Sequence, residues 1–120
     1  MELDKEIENI LNENKIYEMA NISTKRSGLP VVVYISGLKS SHGPRIKFMN
    51  GHGVVKPEKL LTLTVSDKPK LIPEDSKLEI SEKELQQIKN WVLLNKDVLL
   101  ELYKGQLDEI DAALKLKKLS

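Results

Sequence analysis

The chain has 120 residues, of which 40% are hydrophobic and 31% are charged, with a net charge of +1 at pH 7 and no cysteine. A chain of this length forms one domain, residues 1–120, that buries most of its apolar surface without covalent staples, and the missing cysteine excludes a disulfide framework and a thiolate metal site. Acidic residues interrupt the first turns, and no apolar run approaches the ~20 residues of a bilayer span, so we expect no signal peptide and a cytoplasmic location.

The first twenty residues predict an amphipathic helix. Leu3, Ile7, Ile10 and Leu11 recur at helical spacing and make a narrow apolar stripe. The same segment, residues 1–20, holds six acidic residues against two lysines. The helix either lies on the sheet, which we favour, or docks onto a partner protein or a second copy of the chain.

Two strands are predicted in the first half of the chain. The β-branched run Val31 to Ile35 follows a connection and is typical of a strand that is buried on both faces. A polar loop over residues 38–44 separates it from residues 45–49, which alternate in character. Ile46 and Phe48 are expected to face the core, while Arg45 and Lys47 face outward.

The pair Asn50-Gly51 predicts a tight hairpin turn. A type I′ turn needs positive φ at both central residues, which this pair tolerates. The return strand would then run from His52 to Val55. Residues 61–65 alternate and predict a further strand, and Leu71-Ile72 predicts a short strand at the edge, so the sheet spans residues 30–72.

Residues 81–119 predict the helices that build the core. Ser81 and Glu84 have the spacing of a capping box, and Ile80 with Leu85 has the spacing of a hydrophobic staple. The apolar stripe that follows forms one long helix or two helices with a break near Asn95. A last helix is predicted from the spacing of Leu107, Ile110, Ala113 and Leu114.

This order of elements predicts an α+β fold. It comprises an N-terminal helix over residues 1–20, an antiparallel sheet of about four strands over residues 30–72, and C-terminal helices over residues 81–119. Strands and helices that are segregated along the chain indicate a sheet covered by helices on one face.

The charge distribution indicates where a partner could bind. Residues 21–70 hold nine basic residues against two acidic ones. If they share one sheet face, a positive surface follows, and its binding would be mainly electrostatic. The candidate residues for binding nucleic acid or a partner protein are Lys25, Arg26, Lys39, His42, Arg45, Lys47, His52 and Lys56.

Catalysis is the alternative interpretation of part of this set. A metal-independent ribonuclease needs an imidazole for proton transfer and cations that stabilise the charge on phosphorus, and His42, Arg45 and Lys47 could supply them. Two histidines without a third ligand fall short of a metal site, so we expect no metal, and no motif indicates a cofactor. Overall, a non-enzymatic role is favoured over catalysis.

Two further stretches are Ser41 to Lys47, which leads into the predicted strand, and Trp91 to Leu100 in the predicted helix. With them the chain resembles, over roughly residues 31–105, a family of small bacterial proteins of unknown function, often encoded beside a small partner in pairs that resemble toxin–antitoxin systems. The commoner family pattern places two histidines on the strand with one residue between them. Here only His42 stands before the strand, so no role of that histidine pair is carried over.

Three functions follow as hypotheses. The first is a non-enzymatic interaction module, one component of a toxin–antitoxin-like or mobile-element system, that binds a partner protein or nucleic acid through a basic sheet surface. The second is a small ribonuclease toxin that uses His42, Arg45 and Lys47. The third is a plain structural or phage-borne binding protein that blocks a host factor. A homodimer is compatible with each of them.

Overall fold

The computed structural model describes residues 19–37 and 43–119. The predicted N-terminal helix lies outside these residues except for its last two positions, and so does most of the predicted loop over residues 38–44. Of the two described positions, Ala20 belongs to a strand and not to a helix.

The sheet has five antiparallel strands within the described residues, whereas about four were expected. Each strand pairs with the next one along the chain, so the spatial order is the sequence order. The strands are β1 (Ala20–Ile22), β2 (Val33–Ile35), β3 (Arg45–Met49), β4 (Leu60–Thr64) and β5 (Leu71–Ile72).

The central strand β3 has the bounds and the alternation that the sequence predicts. Ile46 and Phe48 are buried, and Arg45 and Lys47 point to the opposite face of the sheet. Side chains that pair across neighbouring antiparallel strands share a face. The alternation therefore gives the sheet an apolar face and a mostly polar face, and the second also carries Met49, which is buried, and Ile72 beside Thr62.

The first strand was not predicted. β1 has only three residues, which are too few for a periodic signal. The helix predicted over residues 1–20 also includes Ala20, the first residue of β1. A short helix follows, α1 (Thr24–Ser27), whose N-cap Ser23 accepts a hydrogen bond from the backbone N–H of Arg26. The chain leaves α1 through Gly28 at a φ of 78°, which favours glycine.

The predicted tight turn at Asn50-Gly51 is wrong. Among the described residues only glycines have positive φ, so Asn50 does not adopt the type I′ conformation. Asn50 is buried, and its side chain donates to Lys77 O over 2.9 Å and accepts from Glu79 N over 2.8 Å. These hydrogen bonds give Asn50 a tertiary role in place of the turn. The return strand expected from His52 is absent. A longer loop with a 3₁₀ turn at Pro57–Lys59 leads to β4 instead.

The helical layer begins at the predicted capping box. Ser81 Oγ accepts from Glu84 N over 3.1 Å, and Ser81 N donates to the Glu84 carboxylate over 3.0 Å. The open choice between one helix and two is decided at Asn95, which separates two helices. They are α2 (Glu82–Leu94) and α3 (Lys96–Tyr103), and α4 (Glu109–Lys115) follows.

The core lies between the helices and the apolar face of the sheet. A single cluster of buried side chains joins Ile46, Phe48 and Leu63 of the sheet with Ile88 and Trp91 of α2. Burial of large apolar side chains of this kind contributes about 1.5–3 kcal/mol each. The apolar stripe of α2 therefore fixes which face of the sheet remains for other contacts.

Candidate partner-binding surface

The face of the sheet opposite the core carries a row of mostly polar side chains. Cross-strand pairing places Asn21 beside Tyr34, Tyr34 beside Lys47, and Lys47 beside Thr62. Arg45 pairs with Thr64 in the neighbouring row. We call this surface the polar sheet face, and its members are Asn21, Tyr34, Arg45, Lys47, Thr62 and Thr64.

Lys47 is the central cation of the polar sheet face. It is half-buried, and its Nζ donates to Thr62 Oγ1 over 3.2 Å. Burial, and then the nearby charge of Arg45, lower the pKa of Lys47 from its usual value. The positive charges of Lys47 and Arg45 are thus close to each other, and that of Lys47 is partly shielded from water. An approaching anion would stabilise this arrangement.

The polar sheet face is less exposed than the sequence had led us to expect. Tyr34 and Thr62 are each only 7% exposed, and burial raises the pKa of the Tyr34 phenol. Yet Tyr34 does not belong to the buried cluster that forms the core. The expectation that Arg45 and Lys47 point away from Ile46 is confirmed, but the neighbours of Lys47 in the row, Tyr34 and Thr62, are buried.

The predicted binding residues Lys25 and Arg26 lie elsewhere. Both belong to α1, and Arg26 Nη2 donates to Ala113 O in α4 over 3.4 Å. α1 follows the edge strand β1. Strand β2 lies between β1 and β3, the strand that carries Arg45 and Lys47. Lys25 and Arg26 therefore form a second site of positive charge, separate from Arg45 and Lys47.

His52 and Lys56 lie in the loop between β3 and β4. His52 Nε2 is 2.7 Å from Glu84 Oε2, so this imidazole is held by the capping box of α2. Lys56 is exposed. Arg45 is the first residue of β3, and this loop begins after the last residue of the strand. At ~3.3 Å per residue, the two ends of β3 are about 13 Å apart. Lys39 and His42 lie outside the described residues.

A groove at the edge of the sheet was missed. The predicted last helix was expected to bury its apolar side chains, but Ile110 is 72% exposed and Leu114 is 74% exposed, while Ala112 is buried instead. The helical spacing itself could not show which side of α4 meets the sheet. The groove between β1 and α4 is lined by Ala20, Asn21, Arg26, Glu109, Ile110, Ala113 and Leu114.

Within residues 19–37 and 43–119, no three histidine, aspartate or glutamate side chains are grouped as a metal ion would require. In the same part of the chain, none of the helices has the length and apolar character needed to cross a bilayer.

Comparison of the chain with protein-family models, with curated proteins and with solved structures finds no match. The resemblance to small bacterial proteins of unknown function stays a prediction.

Proposed function

We propose that this protein is a non-enzymatic interaction module that binds an acidic segment of a partner protein through the polar sheet face. The observation that supports the proposal is the placement of Arg45 and Lys47 side by side on the face of the sheet opposite Ile46 and Phe48. The proposal includes the expectation that the module is one half of a two-protein system of the toxin–antitoxin or mobile-element kind.

The electrostatics of the polar sheet face favour a carboxylate ligand. The ammonium of Lys47 has lost part of its hydration and is close to the charge of Arg45. A carboxylate that approaches Lys47 would pair with its ammonium and would also be attracted by the charge of Arg45. Charge-assisted hydrogen bonds of this kind contribute about 1.5–3 kcal/mol when water is partly excluded.

A protein segment fits this surface better than nucleic acid does. Binding to a nucleic acid backbone depends on many phosphate contacts along an extended track. Here Lys25 and Arg26 lie on α1, and His52 already contacts Glu84. The described cations therefore do not make one stripe, and the net charge of +1 adds little general attraction.

The ribonuclease hypothesis has less support from the described residues. General acid–base catalysis needs an imidazole within hydrogen-bond reach of the reacting groups. His52 follows the end of β3 that is remote from Arg45, and His42 lies outside the described residues. Catalysis by His42, Arg45 and Lys47 is therefore an outcome that the test must be able to detect.

The test measures binding of three labelled probes to the full-length protein by fluorescence anisotropy at low and moderate ionic strength. The probes are a synthetic 18-residue amphipathic peptide with glutamates on one face, a single-stranded RNA and a single-stranded DNA. We expect the peptide to bind and Lys47→Gln to weaken that binding about tenfold, since one charge-assisted contact is lost. Each nucleic acid probe is also examined for cleavage.

Lys83→Gln is the matched control. Lys83 is an exposed lysine on α2, away from the polar sheet face, and its replacement should leave peptide binding unchanged. Equal losses for Lys47→Gln and Lys83→Gln would show that only net charge matters and would refute the proposal. Tight retention of RNA, or RNA cleavage abolished by His42→Ala, would overturn it in favour of the other hypotheses.

A further inference from the structure

The pair Asn50-Gly51 carries a chemical reactivity that the tight turn had left out of account. Asn50 is the only asparagine in the chain that a glycine follows. Such an asparagine is labile, because the backbone nitrogen of the next residue can attack the side-chain amide carbon, and glycine has no side chain to hinder the attack. The backbone itself favours glycine at this place, since Gly51 has a φ of 146°. The fold therefore retains the reactive pair.

The folded protein holds the reactive amide at both of its polar atoms. The Asn50 side chain donates from Nδ2 to Lys77 O over 2.9 Å and accepts at Oδ1 from Glu79 N over 2.8 Å, and the residue is only 7% exposed. The backbone nitrogen of Asn50 also donates to Lys59 O over 3.0 Å. Attack by the Gly51 nitrogen expels Nδ2, the atom that is bonded to Lys77 O. The reaction therefore requires that these side-chain hydrogen bonds open first.

We propose that Asn50 is a site of spontaneous deamidation, which the closed loop over residues 50–59 protects and which local opening of that loop exposes. The Gly51 nitrogen forms a bond to Cγ of Asn50, the bond from Cγ to Nδ2 breaks, and ammonia leaves, so that a cyclic imide remains. Water then opens the imide at either of its carbonyl carbons and leaves an aspartyl or an isoaspartyl residue. The reaction needs only the chain and water, and it is independent of the function proposed for the polar sheet face.

Deamidation removes a buried attachment between the loop over residues 50–59 and the segment that precedes α2. The new carboxylate of residue 50 has no hydrogen to donate to Lys77 O, so two acceptors would face each other where a hydrogen bond of 2.9 Å now joins donor and acceptor. The isoaspartyl product also lengthens the backbone. The other side-chain contacts of this loop, made by His52 and Lys59, are exposed to solvent and contribute little. A chain that has opened and reacted therefore does not regain the attachment at Asn50.

Conversion of Asn50 is measured in the full-length protein by peptide mapping with mass spectrometry, since replacement of the amide by an acid raises the mass. Folded protein and protein in concentrated guanidinium chloride are kept at the same mildly alkaline pH. We expect Asn50 to convert about tenfold more slowly in the folded protein, because two side-chain hydrogen bonds must open. Asn90 and Asn95, which Trp91 and Lys96 follow, are the internal controls and should remain unconverted in denaturant while Asn50 reacts. Equal rates for Asn50 in the two states, or no preference for Asn50 in denaturant, would overturn the proposal.

Two substitutions of Glu79 test whether the hydrogen bonds of Asn50 provide the protection. Glu79→Pro removes the N–H that Asn50 Oδ1 accepts, whereas Glu79→Ala keeps this N–H and loses only the side chain with its contact to Lys59. Fluorescence of the buried Trp91 first establishes that each variant is folded. We expect Asn50 to convert about fivefold faster in Glu79→Pro than in Glu79→Ala. Equally slow conversion in the two folded variants would overturn the proposal, and if Glu79→Pro does not fold, the comparison of folded and denatured wild type decides it.

Discussion

Asn95, between α2 and α3, attaches the C-terminal tail to the helical layer. Its side chain is buried and makes three hydrogen bonds. The amide nitrogen donates to Trp91 O and to Lys117 O, each over 3.0 Å, and the amide oxygen accepts from Lys117 N over 2.6 Å. Replacing Asn95 with alanine removes all three bonds and leaves the backbone groups of Lys117 without these partners.

The expected loss of stability follows from these bonds. Each contributes a net 0.5–1.5 kcal/mol, so Asn95→Ala should lower the free energy of unfolding by about 3 kcal/mol. A domain of 120 residues has a total stability of roughly 6–18 kcal/mol. The loss is therefore a substantial fraction of the total and should lower Tm by about 10 °C.

Urea unfolding followed by the fluorescence of Trp91 measures this loss. Trp91 is the only tryptophan in the chain and is fully buried, so its emission reports exposure of the core. Asn90→Ala is the matched control, because Asn90 is an exposed asparagine of α2 whose side chain accepts one hydrogen bond, from Gln86 over 2.9 Å. We expect Asn90→Ala to change stability by no more than about 0.5 kcal/mol.

A loss for Asn95→Ala that equals the loss for Asn90→Ala would refute this reasoning. It would mean that the tail bonds of Asn95 are replaced by bonds to water at no net cost. An unchanged free energy with a lower dependence on urea would instead indicate that the variant is less cooperative, because the slope reflects the surface exposed on unfolding.

Two further predictions concern backbone strain and pH. Gly28→Ala should lower the free energy of unfolding by about 3 kcal/mol or more, because φ is positive and the added Cβ would collide with the backbone oxygen of Leu119; Gly105→Ala, at a similar φ of 77° but with open space around it, should cost only about 1 kcal/mol. Thermal unfolding of both variants compares these costs, and equal losses would contradict the collision. The hydrogen bond from the Ser81 backbone is the largest of the causes that lower the pKa of Glu84 below its ordinary value of 4.5. The folded pKa is thus below the unfolded pKa, so the stabilising contribution is present above pH 4.5 and is lost as pH falls through the folded pKa. Glu84→Gln should therefore make the urea midpoint less dependent on pH in the acidic range, and parallel pH profiles for both proteins would contradict this.

Features that depend on neighbours along the chain were predicted correctly from the sequence. The capping box joins Ser81 and Glu84, which are three residues apart, and both of its hydrogen bonds form. The alternation of β3 is equally local, because a pleated strand turns successive side chains to opposite faces. For the same reason the placement of Arg45 and Lys47 on one face could be predicted without knowledge of the fold.

Features that depend on distant residues were decided only by the tertiary structure. Asn50 has the sequence signature of a tight turn, but hydrogen bonds to residues 77 and 79 give it another role. Asn95 bonds to a residue 22 positions later. The side of α4 that is buried depends on its packing against α3 and β1, which leaves Ile110 and Leu114 exposed.

The amino-acid sequence by itself determined the α+β composition, the bounds of β3 and the start of α2, because period and capping act over a few residues. The tertiary structure decided the pairing of β3 with Leu60–Thr64, the edge position of β1 and the burial around Tyr34. Contacts between residues far apart in the chain depend on how whole elements pack, and local periodicity carries no information about which elements meet.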